Sequence, residues 1–175
     1  MDKTLVLTCT NRPNSYTAKV AAIYQDILHQ MGVETAELSL EELPNNIAFS
    51  ELYGQRTFEF TQLIASKISA YRRFIFVVPE YNGGFPGILK LFIDAIHPRE
   101  WLNKKVCLVG VSSGRAGNLR GMEHLTGVLC YLKMHVYHNR LPISQIDKIM
   151  NSSGQFIQEE QQQVCEAQVR GFLDF

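Results

Sequence analysis

Phe74-Ile75-Phe76-Val77-Val78-Pro79-Glu80-Tyr81-Asn82-Gly83-Gly84-Phe85-Pro86-Gly87-Ile88-Leu89-Lys90-Leu91-Phe92-Ile93-Asp94-Ala95-Ile96 is the stretch that decides the fold. Phe74 to Val78 is a continuous apolar, β-branched-rich run, the pattern of a strand buried on both faces. Ile88 to Ile96 carries a broad apolar face at helical spacing. Strand, loop and helix make half of a parallel βαβ unit, and ligands in open parallel sheets sit beyond the carboxyl ends of the strands. The joining loop lies there. Gly83, Gly84 and Gly87 allow close approach to the backbone, while Pro79 and Pro86 fix φ and stiffen the segment. Tyr81 offers a ring and Asn82 both a donor and an acceptor. Such a loop suits an aromatic heterocycle with an acceptor-rich edge. It equally suits a plain Gly/Pro connection, and the stretch alone does not separate the two.

The run Pro79-Glu80-Tyr81-Asn82, followed by Pro86-Gly87, Leu89-Lys90 and Ile93-Asp94, resembles the signature of the NADPH-dependent FMN reductase family. The resemblance implies a flavodoxin-like α/β fold, a doubly wound three-layer sandwich on a five-stranded parallel sheet of order 2-1-3-4-5. It also implies that Pro79, Glu80, Tyr81, Asn82 and Gly83 line the flavin ring of a bound FMN.

The first third reads as βαβ. Leu5-Val6-Leu7 leads into the polar loop Thr8 to Thr17, Ala18 to Met31 carries a helical stripe (Val20, Ile23, Ile27, Leu28, Met31), Gly32 is placed for a C-terminal cap, and Val33 to Leu38 forms a second strand. Hydroxyls, Arg12 and the free N–H groups of a helix start make a phosphate site. Ser15 is also a good N-cap, so both roles stand for it. The segment resembles the family's first signature in Thr10-Asn11-Arg12-Pro13-Asn14-Ser15, with Cys9 where a glycine commonly precedes. The resemblance assigns the FMN phosphate to Thr10, Arg12, Ser15 and Thr17, and counts Tyr16 among the cofactor-binding residues.

Cys9 raises a rival, because low-molecular-weight tyrosine phosphatases place a catalytic Cys after the first strand. Their arginine stands six positions on. Here that position is Ser15, and Arg12 comes too early to complete the cradle.

Residues 39–57 are polar and irregular, suited to a surface loop or to a wall on a neighbour's site. Phe58 to Tyr71 reads as a helix with Phe60 or Thr61, Leu63, Ile64, Ile68 and Tyr71 inward, and Trp101 as an anchor for the loop 97–103. Lys105 to Val111 is a fourth buried-type strand. Ser112, Ser113, Gly114, Arg115, Ala116, Gly117 and Asn118 follow at its carboxyl end. They resemble the family's third signature, with Asn118 where the last glycine stands, and the resemblance places Ser112, Ser113, Gly114, Arg115 and Gly117 along the other ring edge. Leu119 to Met134 is a helix whose stripe of Leu119, Met122, Leu125, Val128, Leu129 and Leu132 is expected in the core. Val136 to Leu141 is the fifth strand. His135 and His138 point to opposite faces of it, which argues against a metal site. Gln155 to Phe175 closes as an amphipathic helix on Ile157, Val164, Val169, Phe172 and Phe175.

The chain's 175 residues suit one domain, 1–175. Seventeen basic and seventeen acidic residues give zero formal charge, so neither nucleic acid nor an anionic membrane is favoured. No apolar run approaches the roughly 18 residues that span a bilayer, and the short apolar start is no signal peptide. A cytoplasmic location is expected. Four scattered cysteines form no Cys-x-x-Cys pair, which argues against zinc and a redox dithiol; Cys107 and Cys130 read as buried hydrophobes.

The expected activity is that of an FMN-dependent NAD(P)H oxidoreductase passing hydride to a small-molecule electron acceptor such as a quinone, azo compound or free flavin. An FMN-binding electron carrier without NAD(P)H turnover is the alternative. By the same resemblance the assembly is a homodimer or homotetramer, and the catalytic work is carried by flavin and nicotinamide rather than by a protein acid or base.

Overall fold

Strands β1 (Thr4–Thr8), β2 (Thr35–Ser39), β3 (Arg73–Pro79) and β4 (Lys105–Val111) form the body of a parallel sheet in the computed structural model, which describes residues 3–175. The fifth position is filled by two short pieces, β5 (His135–Val136) and β6 (Leu141–Ile143), both parallel to β4. The order β2-β1-β3-β4-β5 and the three layers are those the sequence leads one to expect. In register, Leu5 stands opposite Phe74, and Phe74 opposite Val106.

Alternation along the strands divides the core in two. Leu5, Leu7, Phe74, Phe76, Val106 and Leu108 point to one face, covered by α3 (Phe58–Leu63), α4 (Gly87–Asp94) and α5 (Leu119–Tyr131). Val6, Ile75, Val77, Cys107 and Val109 point to the other, covered by α1 (Tyr16–Gln30) and α7 (Glu159–Asp174). α3 widens into a π-helical segment, Ile64–Ser69, before β3. Trp101 is fully buried against Phe74, Phe76 and Phe92, which anchors the loop 97–103 on the core as expected. Gly32 closes α1 at φ 71°, with Val33 N–H donating to Leu28 O and Gly32 N–H to His29 O, both at 3.0 Å, a Schellman ending.

Several expectations are corrected. The fifth strand does not run unbroken from Val136 to Leu141. Arg140 N–H turns back to His138 O at 3.1 Å, and Asn139 O accepts from the Gln168 side chain at 2.8 Å, so the backbone groups a ladder needs are already used. α7 begins at Glu159 rather than Gln155, and its buried stripe is Cys165, Gln168, Val169 and Phe172. Ile157, Val164 and Phe175 lie exposed, as does Leu119 at the first turn of α5. Cys130 is exposed too, on the outer side of α5, while Cys107 is buried.

Residues 39–57 hold a 3₁₀ turn, Leu40–Glu42, closed by a Ser39/Glu42 capping box, and the short helix α2 (Ile47–Ser50). Leu40, Leu43 and Ile47 are buried there. Among the described residues no helix is long and apolar enough to cross a membrane.

Candidate functional site: a cleft on the carboxyl rim

Three loops leave the carboxyl ends of β1, β3 and β4 side by side, as parallel pairing of those strands requires. The first is pinned at its base by Cys9 N–H donating to Val77 O at 2.9 Å. Asn14 then adopts a left-handed φ of 52°, and Ser15 returns to extended geometry as N-cap of α1, its Oγ accepting from Ala18 N–H at 3.1 Å. The capping role of Ser15 is thus real, and its hydroxyl proton is still left to donate. The N–H groups of Tyr16 and Thr17, the first two residues of α1, have no intrahelical acceptor. Thr17 is buried and its hydroxyl has no protein partner among the described residues. Arg12 is exposed and pairs with no carboxylate among them. Fixed amide donors, a spare hydroxyl, a guanidinium and the positive end of a four-turn helix converge on one corner.

Thr10 serves the scaffold. Its Oγ1 accepts from Arg12 N–H at 3.2 Å and shares a hydrogen bond of 2.7 Å with Tyr81 Oη, which ties the first loop to the second.

Cys9 is fully buried, its thiol donating to Leu7 O at 3.5 Å, and burial pushes its pKa well above the ordinary thiol value. A thiol held protonated behind the loop is no nucleophile.

In the second loop, Tyr81 N–H donates to Gly84 O at 2.9 Å and Gly84 N–H to Tyr81 O at 3.1 Å. Asn82 and Gly83 between them have φ of 52° and 79°, a type I′ turn. The sequence signal was the Asn-Gly pair itself. Glu80 N–H is engaged by Val111 O at 2.9 Å, so among residues 80–83 the backbone donors left free are those of Asn82 and Gly83. Of the residues expected to line a ring, these two are the ones with backbone N–H groups to offer it.

The third loop is strapped to the segment after β6. Ser112 N–H donates to Ile143 O at 3.0 Å, Ile146 N–H to Ser112 O at 3.1 Å and Gln145 N–H to Gly114 O at 3.0 Å. These bonds carry Ile146, first residue of α6 (Ile146–Ile149), into the site.

Between the loops lies a cleft of about 400 Å³, within the usual range for small-molecule sites. It brings together Arg12, Ser15, Tyr16, Thr17, Pro79, Glu80, Tyr81, Ser112 and Ser113, and adds Pro13, Asn14, Val111 and Ile146. Thr10 stands behind Tyr81, and Asn82, Gly83, Gly114 and Arg115 lie outside the lining. Gly117 does not face the cleft: at φ 56° it packs on β6, where a Cβ would come within 2.6 Å of Pro142 Cβ. Ile146 was missed. The signal was its place, since Ser144-Gln145-Ile146 follows the fifth strand onto the same rim.

A 2-1-3-4-5 parallel sheet, with an amide-rich helix start and two further loops closing on one cleft, defines a flavodoxin-like α/β protein. Residues 3–147 match the family described as NADPH-dependent FMN reductase, and the chain belongs to that family of oxidoreductases. An NAD(P)H-dependent FMN reductase of Schizosaccharomyces pombe is 37% identical over 81 residues, 46% of this chain and 38% of that relative. One from Pseudomonas aeruginosa is 26% identical over 144 residues, 80% of this chain and 76% of the relative. Among solved structures, the flavoenzyme NAD(P)H:(acceptor) oxidoreductase FerB of Paracoccus denitrificans superposes with a TM-score of 0.83 at 20% identity, covering 99% of this chain and 96% of that one.

Proposed function

We propose that the cleft holds FMN and that the protein is an NAD(P)H oxidoreductase acting on a small-molecule acceptor: a quinone, an azo compound or free flavin. The observation that carries this reading is the corner at the start of α1, where Tyr16 and Thr17 N–H, the Thr17 hydroxyl and Arg12 stand unspent at one end of the cleft. That donor set fits a phosphate dianion. The opposite walls, Pro79 to Tyr81 and Ser112 to Ser113, lie where a flat ring attached to that phosphate has room.

The chemistry supplied by a bound flavin is hydride exchange with NAD(P)H on one side and two-electron reduction of the acceptor on the other. The chain's residues bind and orient. Arg12 neutralises phosphate charge, Asn82 and Gly83 N–H are free to meet acceptors on a ring edge, and Tyr81 is fixed by its bond to Thr10. Among the described residues the cleft lining holds no histidine or cysteine; on this reading the chain's part is alignment rather than nucleophilic attack. A homodimer or homotetramer goes with this reading, and light scattering on the purified protein measures it.

Stopped-flow mixing of the FMN-loaded protein with NADPH, and separately with NADH, tests the proposal. Bleaching of the flavin band within a turnover time is expected. Stable FMN binding without bleaching would leave an electron carrier, and hydrolysis of an aryl phosphate lost on Cys9→Ser would replace the reading altogether.

A further inference from the structure

Asn118 stands where the third signature ends in glycine, and it bonds Val78, Pro79 and Glu80 across to the second loop. It is fully buried, with a left-handed φ of 65°, a conformation that Asn tolerates better than most side chains. Its Nδ2 donates to Val78 O at 2.9 Å and to Pro79 O at 3.1 Å, the last two residues of β3. Its backbone N–H donates to Glu80 Oε2 at 3.2 Å. The side chain sits in a slot left by two glycines: a Cβ on Gly121 would meet Asn118 Oδ1 at 2.1 Å, and one on Gly110 would meet Asn118 Cβ at 3.1 Å. One residue of the third loop therefore grips the exit of β3 and the first residue of the second loop. Asn118 Oδ1 is buried without a partner among the described residues, so the amide is oriented by its donor side alone.

Among the described residues, the Glu80 carboxylate is the one acidic group lining the cleft. Left free, it would stand beside the ring, where a negative charge opposes the extra charge of a reduced flavin. Its bond to Asn118 N–H draws it towards the seam between the loops.

We propose that Asn118 and Glu80 form a latch: Asn118 is a positioning residue that fixes the separation of the second and third loops and holds the Glu80 carboxylate off the flavin ring, setting both FMN affinity and flavin potential. This rests on the FMN reading of the cleft. It assigns the Glu80 side chain a task in the seam and none in hydride transfer.

The test is a double-mutant cycle on the full-length protein, using N118G, E80Q and the pair together. Glycine keeps the left-handed backbone and removes the amide; glutamine keeps an acceptor and removes the charge. Two quantities are read: FMN Kd by flavin fluorescence, and the flavin midpoint potential by dye equilibration. N118G is expected to weaken FMN about tenfold and to move the potential to a more negative value. Glycine keeps the backbone N–H, but without the Nδ2 bonds to Val78 O and Pro79 O the two loops part, that N–H no longer reaches Glu80, and the carboxylate swings towards the ring. E80Q is expected to move it the other way with Kd changed less than about threefold. In the E80Q background, adding N118G should no longer lower the potential. An N118G potential shift of the same size with and without E80Q, or N118G binding FMN as wild type does at an unaltered potential, overturns the latch and leaves the FMN reading intact. Wild type failing to bind FMN at all overturns the site reading instead. If N118G does not fold, E80A takes its place: it removes the acceptor of Asn118 N–H and so cuts the bond between the loops. FMN is then expected to bind more weakly, and an FMN Kd unchanged in E80A overturns the latch.

Discussion

Arg12 and Lys104 are both basic, and the structure gives them opposite surroundings. Arg12 projects from the first loop with no carboxylate partner among the described residues, so its charge is available to a ligand. A hydrogen bond to a charged group contributes about 1.5–3 kcal/mol. Arg12→Ala is therefore expected to weaken FMN binding about tenfold to a hundredfold, read by fluorescence titration, with apoprotein stability unchanged; an unaltered Kd would remove the phosphate role. Lys104 is buried beneath α3, its ammonium donating to Ile68 O and lying 5.5 Å from the Phe74 ring centre. Burial lowers its pKa to about 8, with Arg72 adding to the shift and Glu100 opposing it. Below about 8 both folded and unfolded chains carry the proton, and the cost of burying the charge is fully present. Between about 8 and the unfolded lysine value near 10.4 the unfolded chain binds more protons, so stability from this group rises with pH. The melting temperature of wild type relative to Lys104→Met is expected to climb between pH 7 and pH 10. A difference that stays flat across that window would mean the lysine is not desolvated.

Gln168 shows how an element can be completed by a side chain from another layer. The fifth strand is broken between β5 and β6, and opposite the break Leu108 O of β4 accepts from Gln168 Nε2 at 3.2 Å. The same amide group bonds Asn139 O, and Gln168 Oε1 accepts from Tyr24 Oη at 2.5 Å, so α7, α1 and the sheet edge meet on one buried residue. Gln168→Leu keeps the size and leaves three polar groups unsatisfied. It is expected to cost about 2–4 kcal/mol, seen as a lower urea midpoint at unchanged m-value. This is also where reading the sequence stopped. β1, β3 and β4 were legible because strands buried on both faces are apolar at every position, and α1 because Ser15 and Gly32 mark its ends. The edge was not: Val136 to Leu141 looks like a strand by composition, and a glutamine in a Gln-rich helix looks like surface. Leu119 and Val164 misled for the related reason that helical periodicity gives a stripe without saying where the neighbouring layer ends. In the site, the donors at the start of α1 follow from local rules, whereas Ile146 arrives through hydrogen bonds between segments about 30 residues apart and Asn118 through packing against Gly110 and Gly121. The sequence marks where these two residues fall, at the end of the fifth strand and at the last position of the third signature, but not the partners that give them their tasks.

At the scale of the molecule, the cleft touches segments that follow β1, β3, β4 and β6, so anything bound there joins parts of the chain far apart in sequence. A ligand that binds the folded state alone stabilises it by RT ln(1 + [L]/Kd), about 2.7 kcal/mol at a hundredfold excess over Kd. For a chain of this length, that corresponds to a rise of about 5–10 °C in melting temperature, at about 2–4 °C per kcal/mol. FMN added to apoprotein is expected to give a shift of this size. Riboflavin offers the same ring without the phosphate, so on the proposed reading it would keep the contacts with Pro79 to Tyr81 and lose those with Arg12, Tyr16 and Thr17. At equal concentration its shift should be less than half that of FMN, and inorganic phosphate alone should give almost none, because one anion contact does not bridge the loops. The two flavins shifting the protein equally would mean that the corner at the start of α1 holds no phosphate, and the ring would then have to be placed by the second and third loops alone.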